Sequence, residues 1–332
     1  MITLTNKIGA SVTLSNIGAG IISVVVPDKN GNMDDVILGY KDRESYFGDG
    51  PCAGKIPGRF ANRIKLGKFT LDGVDYQLDI NNAGNCLHGG LHGFSDYEWD
   101  YTQDGNKVVF SMVSPDGDQH FPGEVKVKAT YIWSDDCELS LKLEACTNKT
   151  TIINLTNHAY WNLSGENSGT ILDQKLQIFA HKWLPTDKTQ IPTGELASVK
   201  DTPMDFTELK TIGRDIKQEF EALKIGKGYD HCWVIDNWKP RQICKVAKLT
   251  DDKSGRVLDI TSDQPGVQMY SGNWLAGSPI SKSGRSYNDN EGVALECQGF
   301  PDAPNKSNFP SSVLKPNEEY VRNIIWKFSV EK

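Results

Sequence analysis

The chain has 332 residues, 38% of them hydrophobic and 24% charged, with a formal net charge of −7. That length supports a large core, and the acidic balance repels phosphate backbones, which excludes nucleic acid as a partner. Seven cysteines, odd in number and without CxxC spacing, exclude a disulfide framework and read as the reduced thiols of a cytoplasmic protein.

In chain order, residues 1–18 lack the basic start, apolar run and cleavage site of a secretory leader. The alternation of Val12, Leu14 and Ile17 there reads as the first strand of the fold. Residues 21–26 form a short apolar run, predicting a strand buried on both faces. The dipeptides Asn30-Gly31, Asp72-Gly73 and Asp104-Gly105 readily take the positive φ angles of tight hairpins. Residues 125–131 and 139–144 alternate apolar with polar, as strands with one buried and one wet face do. Between 205 and 223, Phe206, Leu209, Ile212, Ile216 and Phe220 recur at three- and four-residue steps, predicting one or two short helices capping a sheet. Residues 292–295 read as another doubly buried strand, and strand cues continue through 323–328. No linker, charge block or repeat divides the chain, and no apolar run reaches the length of a membrane span. The expectation is an all-β protein: one large antiparallel β-sandwich spanning 1–332.

Four stretches place catalytically capable residues among strand-like neighbours. They are GRFANRI (58–64), NCLHGG (85–90), NLTNHAYWNL (154–163) and GVALECQ (292–298). Glu296 ends an apolar run, so it is either a carboxylate at the sheet rim or one held inside a site, since burial without a partner is costly. His158 reads alone as either a satisfied core histidine or an acid–base group. Tyr160, Trp161 and Trp274 fit core packing as well as stacking on a sugar face. His88 and His92 are four apart, but Gly89 and Gly90 intervene and no HExxH pattern exists, so no metal site is expected. His92, His120 and His181 have no supporting context. Gly18-Ala19-Gly20 lacks the third glycine and the helix of a dinucleotide loop.

Those four stretches, with GYDHCW (228–233), GVQMYSGNW (266–274) and LECQGFPDA (295–303), resemble the aldose 1-epimerase family, motif after motif in the same order. The resemblance implies a galactose-mutarotase-like fold that acts on a small sugar with no cofactor and no metal, as a monomer or homodimer. By position it implies Glu296 as general base and His158 as general acid. It implies Arg63 and His88 as groups that position the sugar, Asp230 as a carboxylate on its hydroxyls, and Asn62 and Gln268 as further polar contacts. Anomer exchange needs one ionised and one protonated group to open a hemiacetal, which a glutamate and a histidine can supply. Other readings stay open: a hexose-phosphate epimerase, for which the only candidate cations are Arg59 and Arg63; a carbohydrate-binding module without catalysis; and, more distantly, a metal-dependent hydrolase.

Overall fold

The computed structural model describes residues 1–331. Its strands form two main antiparallel sheets with smaller ones attached. The nine-stranded sheet centres on the long neighbours Arg256–Ser262, Tyr320–Val330, Glu138–Thr147 and Val125–Trp133. The six-stranded sheet runs in the order Tyr160–Trp161, Val293–Gln298, Gly266–Tyr270, Asp230–Val234, Lys182–Trp183, Ala197–Ser198. The predicted alternation is borne out: Val125–Trp133 buries every second residue, and its Tyr131 pairs with Leu141 on Glu138–Thr147.

These two sheets share one apolar core. Trp233, Met269, Leu295 and Trp161 of the six-stranded sheet join Leu258, Ile260, Ile324 and Trp326 of the nine-stranded one. The indole of Trp161 lies 6.0 Å from that of Trp326 and 5.6 Å from the ring of Phe328. Truncating a side chain this deeply packed costs about 3–5 kcal/mol. The all-β expectation therefore holds, as sheets packed face to face.

Local departures have physical reasons. Ile2–Thr5 and Ser11–Ser15 pair as a hairpin, so Val12 and Leu14 lie on the second strand rather than the first, and Ile17 falls just beyond it. In Gly20–Pro27, Ser23 and Val25 are only half-buried, so that strand alternates along part of its length. The stretch 205–223 is mostly irregular. Lys210–Thr211 joins the edge of the nine-stranded sheet, Ile212–Arg214 makes one 3₁₀ turn, and the six-residue helix Glu221–Gly226 begins only at its end. Asp205 Oδ1 accepts from the backbone and hydroxyl of Thr207, a local bond that competes with a helical one. Phe206, Ile212 and Ile216 still reach the core, but as loop anchors. Among the described residues, no helix is long and apolar enough to cross a membrane.

The short helix feeds the site. Its last turn passes through Lys227, at φ 56°, to Gly228, at φ 140°, and so into the strand that starts at Asp230. A Cβ at Gly228 would lie 2.5 Å from Asn273 Oδ1, so a glycine is required at that turn.

Candidate active site

Strand periodicity sorts the six-stranded sheet into two faces. On one, Trp233, Val267, Cys297 and Leu295 meet the core. On the other, Cys232, Gln268 and Glu296 stand in one cross-strand row, and Asp230, Tyr270 and Ala294 in the next. Tyr160 pairs with Ala294 and extends that second row. A second layer of chain closes over this face. Phe60 bridges to Asn154, and Arg63–Ile64 pairs with Cys86–Leu87, which sets His88 beside Arg63.

The segment 154–158 runs outside any sheet, so its backbone groups need other partners. Neighbouring backbone supplies several, with Asn154 N donating to the Arg59 carbonyl at 3.1 Å and Gly54 N to the His158 carbonyl at 2.9 Å, and asparagine side chains tie the segment to backbone elsewhere. Asn154 Nδ2 donates to the Ala61 carbonyl at 3.0 Å, and its Oδ1 accepts from Gly299 N at 2.8 Å. Asn157 Nδ2 donates to the Gly54 carbonyl at 2.6 Å, and Asn162 Nδ2 to the Glu291 carbonyl at 2.9 Å. His158 is thereby fixed in an irregular turn before Tyr160–Trp161 rather than on a strand; its own N–H donates to the Lys55 carbonyl at 2.9 Å.

Between the layers lies a cavity of about 760 Å³ whose walls include Asn62, Arg63, His88, His158, Asp230 and Glu296. His158 Nε2 and Glu296 Oε1 are 3.5 Å apart, and both side chains are almost wholly buried. Glu296 Oε2 and His158 Nδ1 have no protein partner. The His158 ring lies 4.9 Å from that of Tyr160 and 5.4 Å from that of His88. His88 Nδ1 accepts the Asn62 N–H at 3.1 Å, which places the proton of a neutral His88 on Nε2. Asn62 Oδ1 in turn accepts the Arg63 N–H at 2.8 Å.

Burial governs the charges. It pushes Glu296 well above the usual carboxylate range, a shift that the negative Asp230 reinforces and Arg63 opposes. Burial also lowers His158, to about 4, and drives His88 well below the ordinary histidine value. Each shift favours the uncharged form. From about pH 4 to well above the usual carboxylate range the Glu296–His158 pair therefore holds a single proton, and that proton has two acceptors in contact.

Six of the seven sequence-derived site residues line this cavity. Gln268 does not. It stands in the same row as Glu296 but is covered by Asp230, to whose Oδ1 its Nε2 donates at 2.7 Å. Trp161 faces the core, while Tyr160 and the 65%-exposed Trp274 line the cavity. Arg59 is buried elsewhere and donates to the carbonyls of Pro122 and Gly123, each at 2.8 Å, so it offers no charge to the cavity. His92, His120 and His181 lie on the surface. Gln190 escaped the sequence reading, since nothing in PTDKTQIPTG distinguishes it from an ordinary turn residue; it bonds both Arg63 and Asp230. Tyr270, a wall residue beside His158, was hidden within its strand pattern.

The fold and the sequence as a whole are matched in known proteins. The family model for aldose 1-epimerase covers residues 1–327. The chain belongs to the aldose 1-epimerase family. It is 43% identical to the galactose mutarotase of Bos taurus over 94% of this chain and 89% of that one. It is 35% identical to the aldose 1-epimerase of Escherichia coli K12, over 100% and 95% of the two chains. Among solved structures, a GalM/aldose epimerase homologue from C. elegans superposes with a TM-score of 0.92 at 32% identity, covering 100% and 99% of the chains. The galactose 1-epimerase of Lactobacillus acidophilus gives 0.86 at 28% identity, covering 99% and 94%. As an aldose 1-epimerase, the chain is an isomerase acting on carbohydrates. Among the described residues, no group of three or more His, Cys, Asp or Glu is placed to hold a metal ion.

Proposed function

We propose that the protein interconverts the α and β anomers of a free aldohexose, galactose or glucose, with Glu296 as base and His158 as acid. The observation that carries this reading is the 3.5 Å contact between those two groups at the wall of a sugar-sized cavity. The anomeric hydroxyl and the ring oxygen sit on the same carbon, so the base for one and the acid for the other must be neighbours. Glu296 takes the proton from the anomeric hydroxyl, the bond from C1 to the ring oxygen breaks, and the anomeric oxygen becomes the aldehyde carbonyl. The ring oxygen takes a proton from His158. Rotation about C1–C2 presents the other carbonyl face, and the proton transfers reverse as the ring closes.

Burial also sets the order of the proton transfers: in the free enzyme it places the shared proton on Glu296, so that proton passes to His158 before Glu296 acts as base. Once the ring is open, Glu296 holds a proton and His158 is neutral, and that is the distribution burial favours. The buried site thus stabilises the open-chain intermediate relative to the ion pair that precedes it. Across the cavity, Arg63, Asp230, Asn62 and His88 offer donors and acceptors for ring hydroxyls, with Gln268 acting through Asp230. Among the described residues, Arg63 is the only lysine or arginine in the cavity wall, which favours an unphosphorylated sugar. The chain would work as one unit over 1–332, as a monomer or homodimer, and its seven unpaired cysteines favour the cytoplasm. Polarimetry tests the reading: fresh α-galactose and α-glucose should approach equilibrium rotation faster with the protein than without it. Unchanged rates for both sugars would refute it.

A further inference from the structure

Gln190 stands in a turn pinned from several sides. Thr186 bridges to Pro192, Gln190 N donates to the Asp187 carbonyl at 2.9 Å, and Asp187 Oδ1 accepts from Thr189 N, Thr189 Oγ1 and Ile191 N. Asn85, next to the His88 strand, ties down the same turn by donating from Nδ2 to the Thr189 carbonyl at 3.2 Å. Within it Gln190 adopts φ 62°, a left-handed conformation that is uncommon for a residue with a side chain. A backbone held that way needs a compensating gain elsewhere.

The side chain supplies one. Gln190 Oε1 accepts from Arg63 Nη2 at 2.7 Å, and Gln190 Nε2 donates to Asp230 Oδ2 at 2.7 Å. The two partners have opposite demands, so they fix which end of the amide points where. Arg63 Nη2 and Asp230 Oδ2 stand 3.6 Å apart, at ion-pair distance but without a direct hydrogen bond, so the amide carries the hydrogen bonding between them. With Gln268 on Asp230 Oδ1, both carboxylate oxygens are held and the group cannot swing.

We propose that Gln190 is a positioning residue: an amide bridge that holds Arg63 and Asp230 apart and aimed into the cavity, so that both can meet sugar hydroxyls at once. This role rests on the mutarotase reading given above. Without the bridge, guanidinium and carboxylate close on each other, and the sugar must first separate them.

Gln190→Met keeps the length and loses both bonds; Gln190→Asn keeps the amide and loses the reach; Gln190→Gly relieves the left-handed backbone and removes the side chain. All three should raise KM for galactose about tenfold with kcat within about threefold of wild type, the split expected when ground-state binding is lost. The melting temperature of Gln190→Gly should hold or rise, which a merely structural role would not allow. A Gln190→Met enzyme with wild-type KM overturns the proposal, as does a variant whose loss is all in kcat. The two claims separate cleanly. A wild-type protein that does not speed mutarotation sinks the functional reading, while calorimetric titration with galactose still reads whether Gln190→Met weakens binding. Equal affinities in that titration overturn the bridge.

Discussion

Replacing Glu296 by Gln removes one proton acceptor and almost nothing else, because the side chains share a shape. A well-placed general base is worth about 10² to 10⁴ in rate, so kcat should fall at least about 100-fold, or about 2.7 kcal/mol of barrier. Galactose affinity should stay within a few-fold, since the sugar hydroxyls meet other groups. The same substitution should also stabilise the fold. Burial raises the Glu296 pKa in the native state, so between the unfolded and native values the folded protein holds a proton that the unfolded chain has released. Stability therefore falls as pH rises through that window, which opens at about 4.3, by about 1.36 kcal/mol per pH unit. Glutamine does not titrate and escapes the loss. Polarimetric kinetics and thermal melts at pH 4 and pH 7 read both effects: Glu296→Gln should melt above wild type at pH 7 and close to it at pH 4. A variant that turns over within tenfold of wild type would remove Glu296 as the base. One that melts lower at pH 7 would refute the burial argument from which its chemistry follows.

The rate should be flat from just above pH 4, where buried His158 gains a second proton, to well above the usual carboxylate range, because the Glu296–His158 pair keeps its single proton over that window. A limb of the kcat/KM profile centred near 6.5, the value of an ordinary histidine, would contradict this. His158→Ala should lower kcat at least about 100-fold, with part of the loss restored by added imidazole; normal turnover would reassign the acid. Arg59→Ala should lower stability by about 3 kcal/mol or more, because it strips buried hydrogen bonds from Pro122, Gly123, Thr151 and Ser114. Urea denaturation reads that cost, and a loss below about 1 kcal/mol would show that the guanidinium contributes little.

What the sequence revealed depended on whether a local pattern had a local cause. The strands Val125–Trp133 and Glu138–Thr147 were plain because a period of two follows directly from one wet and one dry face. Of the one or two short helices expected over 205–223, only the 3₁₀ turn Ile212–Arg214 and the start of Glu221–Gly226 formed, because most of the three- and four-residue spacing arises from loop residues reaching one core from separate turns. At the site, the residues set in recognisable motifs were named by resemblance and six of them line one cavity, but the direct contact between Glu296 and His158 was not legible along the chain. The three asparagines of 154–163 looked chemical and proved to be backbone ties for a segment without a sheet. Gln190 and the recessed position of Gln268 depend on tertiary distances that no spacing along the chain encodes.

The six-stranded sheet carries its reactive row and its oily row on alternate residues of the same strands. Catalysis and folding are thus two readings of a single parity. One residue inserted into Val293–Gln298 ahead of Leu295, with the rest of the ladder kept, would turn the carboxylate toward the apolar core and present Leu295 to the sugar. Sequence drift along these strands can change what stands at a position, but it cannot change the count, and that makes strand length here as much a heritable property of the enzyme as its acid and base.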